Sequence, residues 1–338
     1  MKKSMDMLKE CPKVELHCHL DGSVSPDVLK QIAGVENIEL PSDELLIKQM
    51  QAPENCSSLA YYLHCFEFVL PFLQTEHALE LAAYDLIRQA SEDHIIYIEV
   101  RFAPMLHTQK NLTLDQVIQA VSKGLQRGKK DFLVESNMIL CMMRGSSDEE
   151  NKKIIDYAIS YRDHGVVGID LAGNEAEFPP ILYKELFAYA VENQISFTIH
   201  AGECGSAQHV FDSISLGATR IGHGVGMKND IEVMNYAKKH HILVEMCPTS
   251  NIQTKAVGAF SEFPFIEFVN YGIAVSINTD NRTVSGTTLT EEYHMIDSEF
   301  ELTLPYLKQF NLQAISASFA YPEQKERLKK IIESFKVY

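Results

Sequence analysis

Eight short apolar runs punctuate the chain, most of them followed by a stretch whose apolar residues recur every three or four positions. The runs are Val14–Leu20, Ile95–Phe102, Glu135–Met143, Val166–Leu171, Ser196–His200, Thr219–His223, Ile242–Cys247 and Ile273–Ile277. They are rich in β-branched and other apolar residues and show little strict alternation, the pattern of parallel strands buried on both faces. Between them, Thr113–Gly128 sets Leu114, Val117, Ile118, Val121 and Leu125 on one helical face behind a Thr113 cap. The same spacing predicts helices over Asp148–His164, Pro180–Asn193, Ser206–Leu216, Ile231–His240 and Phe263–Tyr271, with Gly165, Gly217 and Gly272 closing three of them.

Strands alternating with helices imply an α/β fold, either a (β/α)8 TIM barrel or a large doubly wound sheet. The barrel is preferred because the chemically unusual residues fall at the C-terminal ends of the runs, where barrel enzymes carry their sites. About seventy residues separate the first two runs, and within them Leu59–Leu73 is dense in aromatic and aliphatic side chains. This insertion is expected to form helices over the C-terminal mouth, although ordinary surface packing would leave the same trace. With no low-complexity tract or Gly/Ser linker, the whole chain, 1–338, is expected to be one domain.

Charge and cysteine content narrow the partners. Acidic residues outnumber basic ones by 46 to 30, for a formal charge of −16. That balance opposes nucleic acid, whose binders draw affinity from Lys and Arg on phosphates, and opposes an anionic membrane surface. A neutral small molecule stays compatible. The seven cysteines form no CxxC pair and their spacing is irregular, which favours a reducing, cytoplasmic compartment. The opening MKKSMDMLKECPK lacks the apolar core of a secretory signal.

The strongest local signal is Glu15-Leu16-His17-Cys18-His19-Leu20-Asp21-Gly22. Residues two apart on a strand point the same way, so His17 and His19 can offer both imidazoles to one ion. Taken alone, the pair fits two histidines on an exposed strand end equally well. Three further features sit at the ends of other runs: His200 with Glu203 in HAGE, His223 between two glycines in TRIGHG, and Asp280 in SINTD. Each by itself suits a core histidine or a capping acid; four in register point to a site.

Those segments, with VELHCHLDGS, YIEVRFAP, GIDLAGNE and EMCPTSN, resemble the adenosine deaminase family in content and order over nearly the whole chain. The resemblance implies a TIM barrel with one Zn2+ held by His17, His19, His200 and Asp280, a donor set that could also take cobalt or iron. It implies Glu203 as proton donor to the purine ring, His223 as the residue that orients and deprotonates the attacking water, and zinc-activated hydroxide adding to purine C6. His19 and the Gly173 backbone are expected at the substrate, with Asp21 at the ribose 5′-hydroxyl. The reaction implied is hydrolytic deamination of adenosine, and of 2′-deoxyadenosine, to the inosine nucleoside and ammonia.

Two departures stand out. Asn281 replaces the acid that many members set opposite purine N7; its amide can donate to that acceptor at any ordinary pH. Asn174 stands in LAGNE where LAGDE is more usual. The fourth run offers no lysine to bridge two metals, and no H-x-E with P-C-x-x-C is present, so a mononuclear site outside the cysteine-ligated deaminases is expected. Deaminases of adenine or of a modified adenosine nucleoside or nucleotide remain alternatives, with Arg101 and Arg282 as the candidate phosphate contacts. A catalytically silent metal-binding barrel and an ester or amide hydrolase are more distant ones.

Overall fold

The computed structural model describes residues 5–53, 56 and 59–336. Eight strands form: β1 (Lys13–His19), β2 (Ile95–Phe102), β3 (Glu135–Met143), β4 (Val166–Ala172), β5 (Thr198–Ala201), β6 (Arg220–His223), β7 (Leu243–Met246) and β8 (Ala274–Ile277). They pair in parallel as two four-stranded sheets, β1-β2-β3-β4 and β5-β6-β7-β8. Single parallel bridges join the sheets, Ile169 with Phe197 and Cys18 with Asp280, so the strands close into a barrel. The β8–β1 seam is reinforced by a side chain: Leu16 N donates to Asn278 Oδ1 at 2.9 Å.

Val14 and Leu16 pack with Tyr97 and Leu243 against Ile315, Leu328 and Ile332 of the C-terminal helices Leu304–Ala317 and Pro322–Ser334. Glu15 and His17 of β1 are wholly buried. Glu99, Arg101, Asp170, Arg220 and Glu245 are buried as well. The interior of this barrel is therefore strongly polar, whereas the apolar runs predicted aliphatic packing on both faces.

The helix over Leu114–Phe132 runs past Gly128, the last residue of its expected span. Gly124 and Gly128 lie inside it, against the helix Glu76–Glu92. A Cβ on Gly124 would come within 2.3 Å of the Glu80 carbonyl oxygen, and one on Gly128 within 2.6 Å of Ile87 Cβ. These glycines serve close helix approach; the stop comes at Leu133, which adopts the left-handed conformation. The helix predicted to reach His164 ends at Ser160 and continues as a 3-10 turn, Arg162–His164, before Gly165 at φ 90°. Between β1 and β2 the chain forms helices Pro26–Glu36, Asp43–Met50, Leu59–Val69 and Glu76–Glu92.

The start of Leu114–Phe132 supplies a direct test. The Thr113 side chain accepts from Gln116 N while Gln116 reaches back to Thr113 N, a reciprocal cap. Thr113→Ala is expected to lower unfolding free energy by about 1 kcal/mol in urea titration. Turnover should be unchanged.

Candidate active site

Four ligand-type side chains from three separated segments meet at the C-terminal mouth. His17, His19, His200 and Asp280 each bring one ligand atom to within 4.8 Å of all the others. His17 Nε2 lies 3.2 Å from Asp280 Oδ1, His19 Nε2 lies 3.4 Å from the same oxygen, and His19 Nε2 is 3.2 Å from His200 Nε2. Two donors bound tetrahedrally at zinc's usual bond lengths would stand about 3.4 Å apart. The spacing thus matches a common ion, and His17 Nε2 is buried with no hydrogen-bond partner. Three imidazoles and a carboxylate fit one divalent cation.

Neighbouring groups aim these ligands. Glu245 Oε2 is 2.8 Å from His17 Nδ1, and Asp170 Oδ2 is 2.9 Å from His200 Nδ1, so each carboxylate holds the far side of a ring whose Nε2 faces the cluster. Ser250 Oγ donates to Asp280 Oδ2 at 2.6 Å, leaving Oδ1 for the cluster. Arg101 binds both supporting acids, reaching Asp170 and Glu245 at 2.8 Å each. Burial, joined by the Arg101 charge and by His200, holds the His17 imidazole below its ordinary pKa, which favours the neutral ligand form. Despite burial, the neighbouring imidazoles keep Asp280 well below the usual carboxylate range.

Glu203 and His223 stand beside the cluster, with Glu203 Oε2 3.7 Å from His223 Nε2. Burial raises the Glu203 pKa, against the opposing pull of His223 and His200. His223 and Asp280 both hold left-handed backbone, at φ 64° and 62°, a conformation that costs a non-glycine residue energy and collects at functional sites. Asn251 Nδ2 donates to His223 Nδ1 at 2.9 Å, which leaves the neutral ring's proton on Nε2.

The cavity above the cluster is lined by every expected site residue other than the deeper His17: His19, Asp21, Gly173, His200, Glu203, His223, Asp280 and Asn281. Tyr62, Leu63, Phe66, Glu67 and Leu70 of the insertion cover it, as the aromatic density of that segment suggested. Asp21 Oδ1 is buried without a partner, and burial pushes its carboxyl up to about 6. Asn281 gives one Nδ2 proton to Tyr62 Oη at 2.9 Å, leaving the other proton and an unpartnered Oδ1. Asn174 instead caps a surface turn, facing Glu177.

Arg101 and Arg282 do not line the cavity. Arg282 is buried against Glu15 and Asp93 at 3.1 Å each, so both arginines are structural. Sequence reasoning assigned no roles to Asp170, Glu245, Ser250 or Asn251, although all lie within segments that carried the resemblance. It also passed over Glu175, whose oxygens accept from Gly202 N at 2.6 Å and Cys204 N at 3.0 Å and so shape the loop bearing Glu203. A charged residue within an apolar strand, as at Asp170 and Glu245, was the available signal.

Gly222 supplies room for this arrangement, because a Cβ there would lie 2.9 Å from His17 Cε1. Gly222→Ala and Glu245→Gln should each weaken metal affinity by roughly 10- to 100-fold in chelator competition. Unchanged affinity in both variants would remove the proposed support of His17.

A family model described as adenosine deaminase matches residues 12–335. An adenosine deaminase of Enterococcus faecalis is 48% identical over 327 residues, covering 96% of this chain and 97% of that protein. One from Streptococcus mutans is 42% identical, covering 94% and 91%. Among solved structures, the N6-methyl-AMP deaminase from Arabidopsis thaliana superposes with TM-score 0.87 at 25% identity over 98% of both chains. An adenine deaminase from Arthrobacter aurescens shares the fold with TM-score 0.87 at 24% identity, covering 96% of this chain and 98% of its own. Closed parallel barrel, convergent histidines and matched sequence lead to one conclusion: this chain belongs to the adenosine deaminase family.

Proposed function

We propose that this chain hydrolyses adenosine, and 2′-deoxyadenosine, to the corresponding inosine nucleoside and ammonia, acting in the cytoplasm in purine salvage. The observation that carries this reading is the meeting of His17, His19, His200 and Asp280 beside Glu203 and His223 in one cavity. Zn2+ is the ion we assign; when bound, it supplies a Lewis acid that lowers the pKa of a coordinated water toward about 7.

The remaining work belongs to the side chains. Glu203, whose pKa burial raises, can donate to purine N1 in its acid form and make C6 a better electrophile. His223, with its proton on Nε2, orients the attacking oxygen by donating a hydrogen bond. Its expected role as a base would need Asn251 to turn and present Oδ1, so the geometry favours the orienting half of that role. The Gly173 backbone and the free amide proton of Asn281, both at the cavity wall, receive the purine edge in this reading. Leu63, Phe66, Leu106 and Met143 supply apolar surface for the base and exclude water.

Charge selects the substrate class. No Lys or Arg lines the cavity among the described residues, while Asp21, Glu67 and Glu203 do. The unpartnered Asp21 Oδ1 calls for a donor, which a ribose 5′-hydroxyl provides and a phosphate dianion does not. The Arabidopsis protein is named for a nucleotide; this mouth suits a nucleoside.

Ammonia release should therefore be rapid from adenosine and at least about 100-fold slower from AMP and adenine, allowing for one lost hydrogen bond or one opposed charge. Comparable or faster release from AMP or adenine would transfer the assignment to that substrate. Glu203→Gln should keep the metal and lower kcat by about 100-fold or more. In the unsubstituted protein the Glu203 acid is present below its raised pKa and lost as pH climbs through it, so kcat should fall on that alkaline limb. The limb should be missing from the Gln variant's pH profile; an unchanged profile and rate would remove Glu203 as the acid.

A further inference from the structure

We propose that Glu175, Cys204 and His209 form a second divalent-cation site, for a thiophilic ion such as Cd2+ or Zn2+, on the loop that carries Glu203. Their ligand atoms lie within 4.8 Å of one another, apart from the four-residue cluster described above. Cys204 Sγ stands 3.5 Å from His209 Nδ1. Tetrahedral binding to zinc would place a thiolate sulfur and an imidazole nitrogen about 3.6 Å apart, so this pair is already spaced for an ion. His209 Nδ1 and Glu175 Oε1 are 2.9 Å apart, at hydrogen-bond distance, and would part by about 0.5 Å to admit one.

Local structure holds the three groups together. Gly202 N and Cys204 N both donate to Glu175, which pins the loop against the end of β4. Ser206 caps the helix Ala207–Ser215 and fixes His209 in its first turn. Cys204 is the exposed cysteine of the chain; the other six are buried. The site therefore has an entry path from solvent and a built carboxylate wall behind it.

Charge and softness decide which ion it takes. A thiolate, an imidazole and a carboxylate suit Zn2+ or Cd2+ over Mg2+ or Ca2+, which prefer oxygen alone. On entry the ion displaces the Cys204 thiol proton to solvent, and His209 binds through the Nδ1 lone pair with its own proton on Nε2. Thiolate and Glu175 carboxylate then cancel the two positive charges. Two features oppose a cation: the helix N-terminus beneath His209, and Arg144, whose guanidinium binds the carbonyls of Phe178 and His200. Ionisation of Cys204 is consequently required for binding. Partial burial and the Glu175 charge push the thiol up to about 11, so the group stays protonated until an ion competes for it.

The test is a Cd2+ titration of the metal-loaded protein, followed by the ultraviolet charge-transfer absorbance of a cadmium–thiolate bond. The histidine–aspartate cluster contains no sulfur and is silent in that band. One Cd2+ per chain should produce a saturable band, absent in Cys204→Ser and shifted to at least tenfold higher Cd2+ in His209→Ala. A band that survives Cys204→Ser would place the ion elsewhere. Equal affinity in His209→Ala would reduce the site to a lone thiol, and no band in the unsubstituted protein would dismiss it.

Discussion

Arg101 reaches across the barrel interior to two acids, Asp170 on β4 and Glu245 on β7, and through them it orients two imidazoles. Each acid holds Nδ1 of a histidine, so each histidine presents Nε2 at the mouth. A second buried arginine, Arg220, binds Glu245 and Glu99 at 2.7 and 2.5 Å and completes the lattice. Removing one member would strand a buried charge at a cost of about 3–5 kcal/mol, so the parts of such a lattice depend on one another. The barrel interior is polar because it is the scaffold of the site above it.

That dependence explains which parts of the molecule were legible beforehand. All eight strands lie within two residues of the apolar runs, since both ends of each run change abruptly in polarity. His17, His19, His200, Asp280, Glu203 and His223 could be found because each stands at such an end. Asp170 and Glu245 stand inside strands, where one acid among aliphatic residues gives no partner; its meaning comes from Arg101, about 70 positions from the first and 144 from the second. The helix expected over Thr113–Gly128 runs on to Phe132 for a similar reason. Glycine ends a helix when it must turn left-handed, but here it makes room for Ile87 on another helix. The helices after residue 288 were not anticipated, although Leu304, Leu307, Phe310, Ala314 and Ile315 carry a helical period.

Asn281 shows how one substitution is absorbed. Where the family resemblance implied an acid, the amide gives a proton to Tyr62, whose hydroxyl also meets Ser285 at 2.8 Å. Tyr62 belongs to the insertion helix Leu59–Val69, so this contact ties the cover of the cavity to the segment after β8. The cover adds Glu67 and apolar side chains but, among the described residues lining the cavity, no cation. Acidic mouth, apolar cover and metal-type ligands at the base thus support the proposed preference for an uncharged aminopurine nucleoside.

The most direct examination of this account is an anomalous-scattering map from crystals of the purified protein, recorded on either side of the zinc absorption edge. The account predicts a strong peak within about 2.0–2.2 Å of His17 Nε2, His19 Nε2, His200 Nε2 and Asp280 Oδ1. Metal-replete protein with no peak among these four atoms would contradict it.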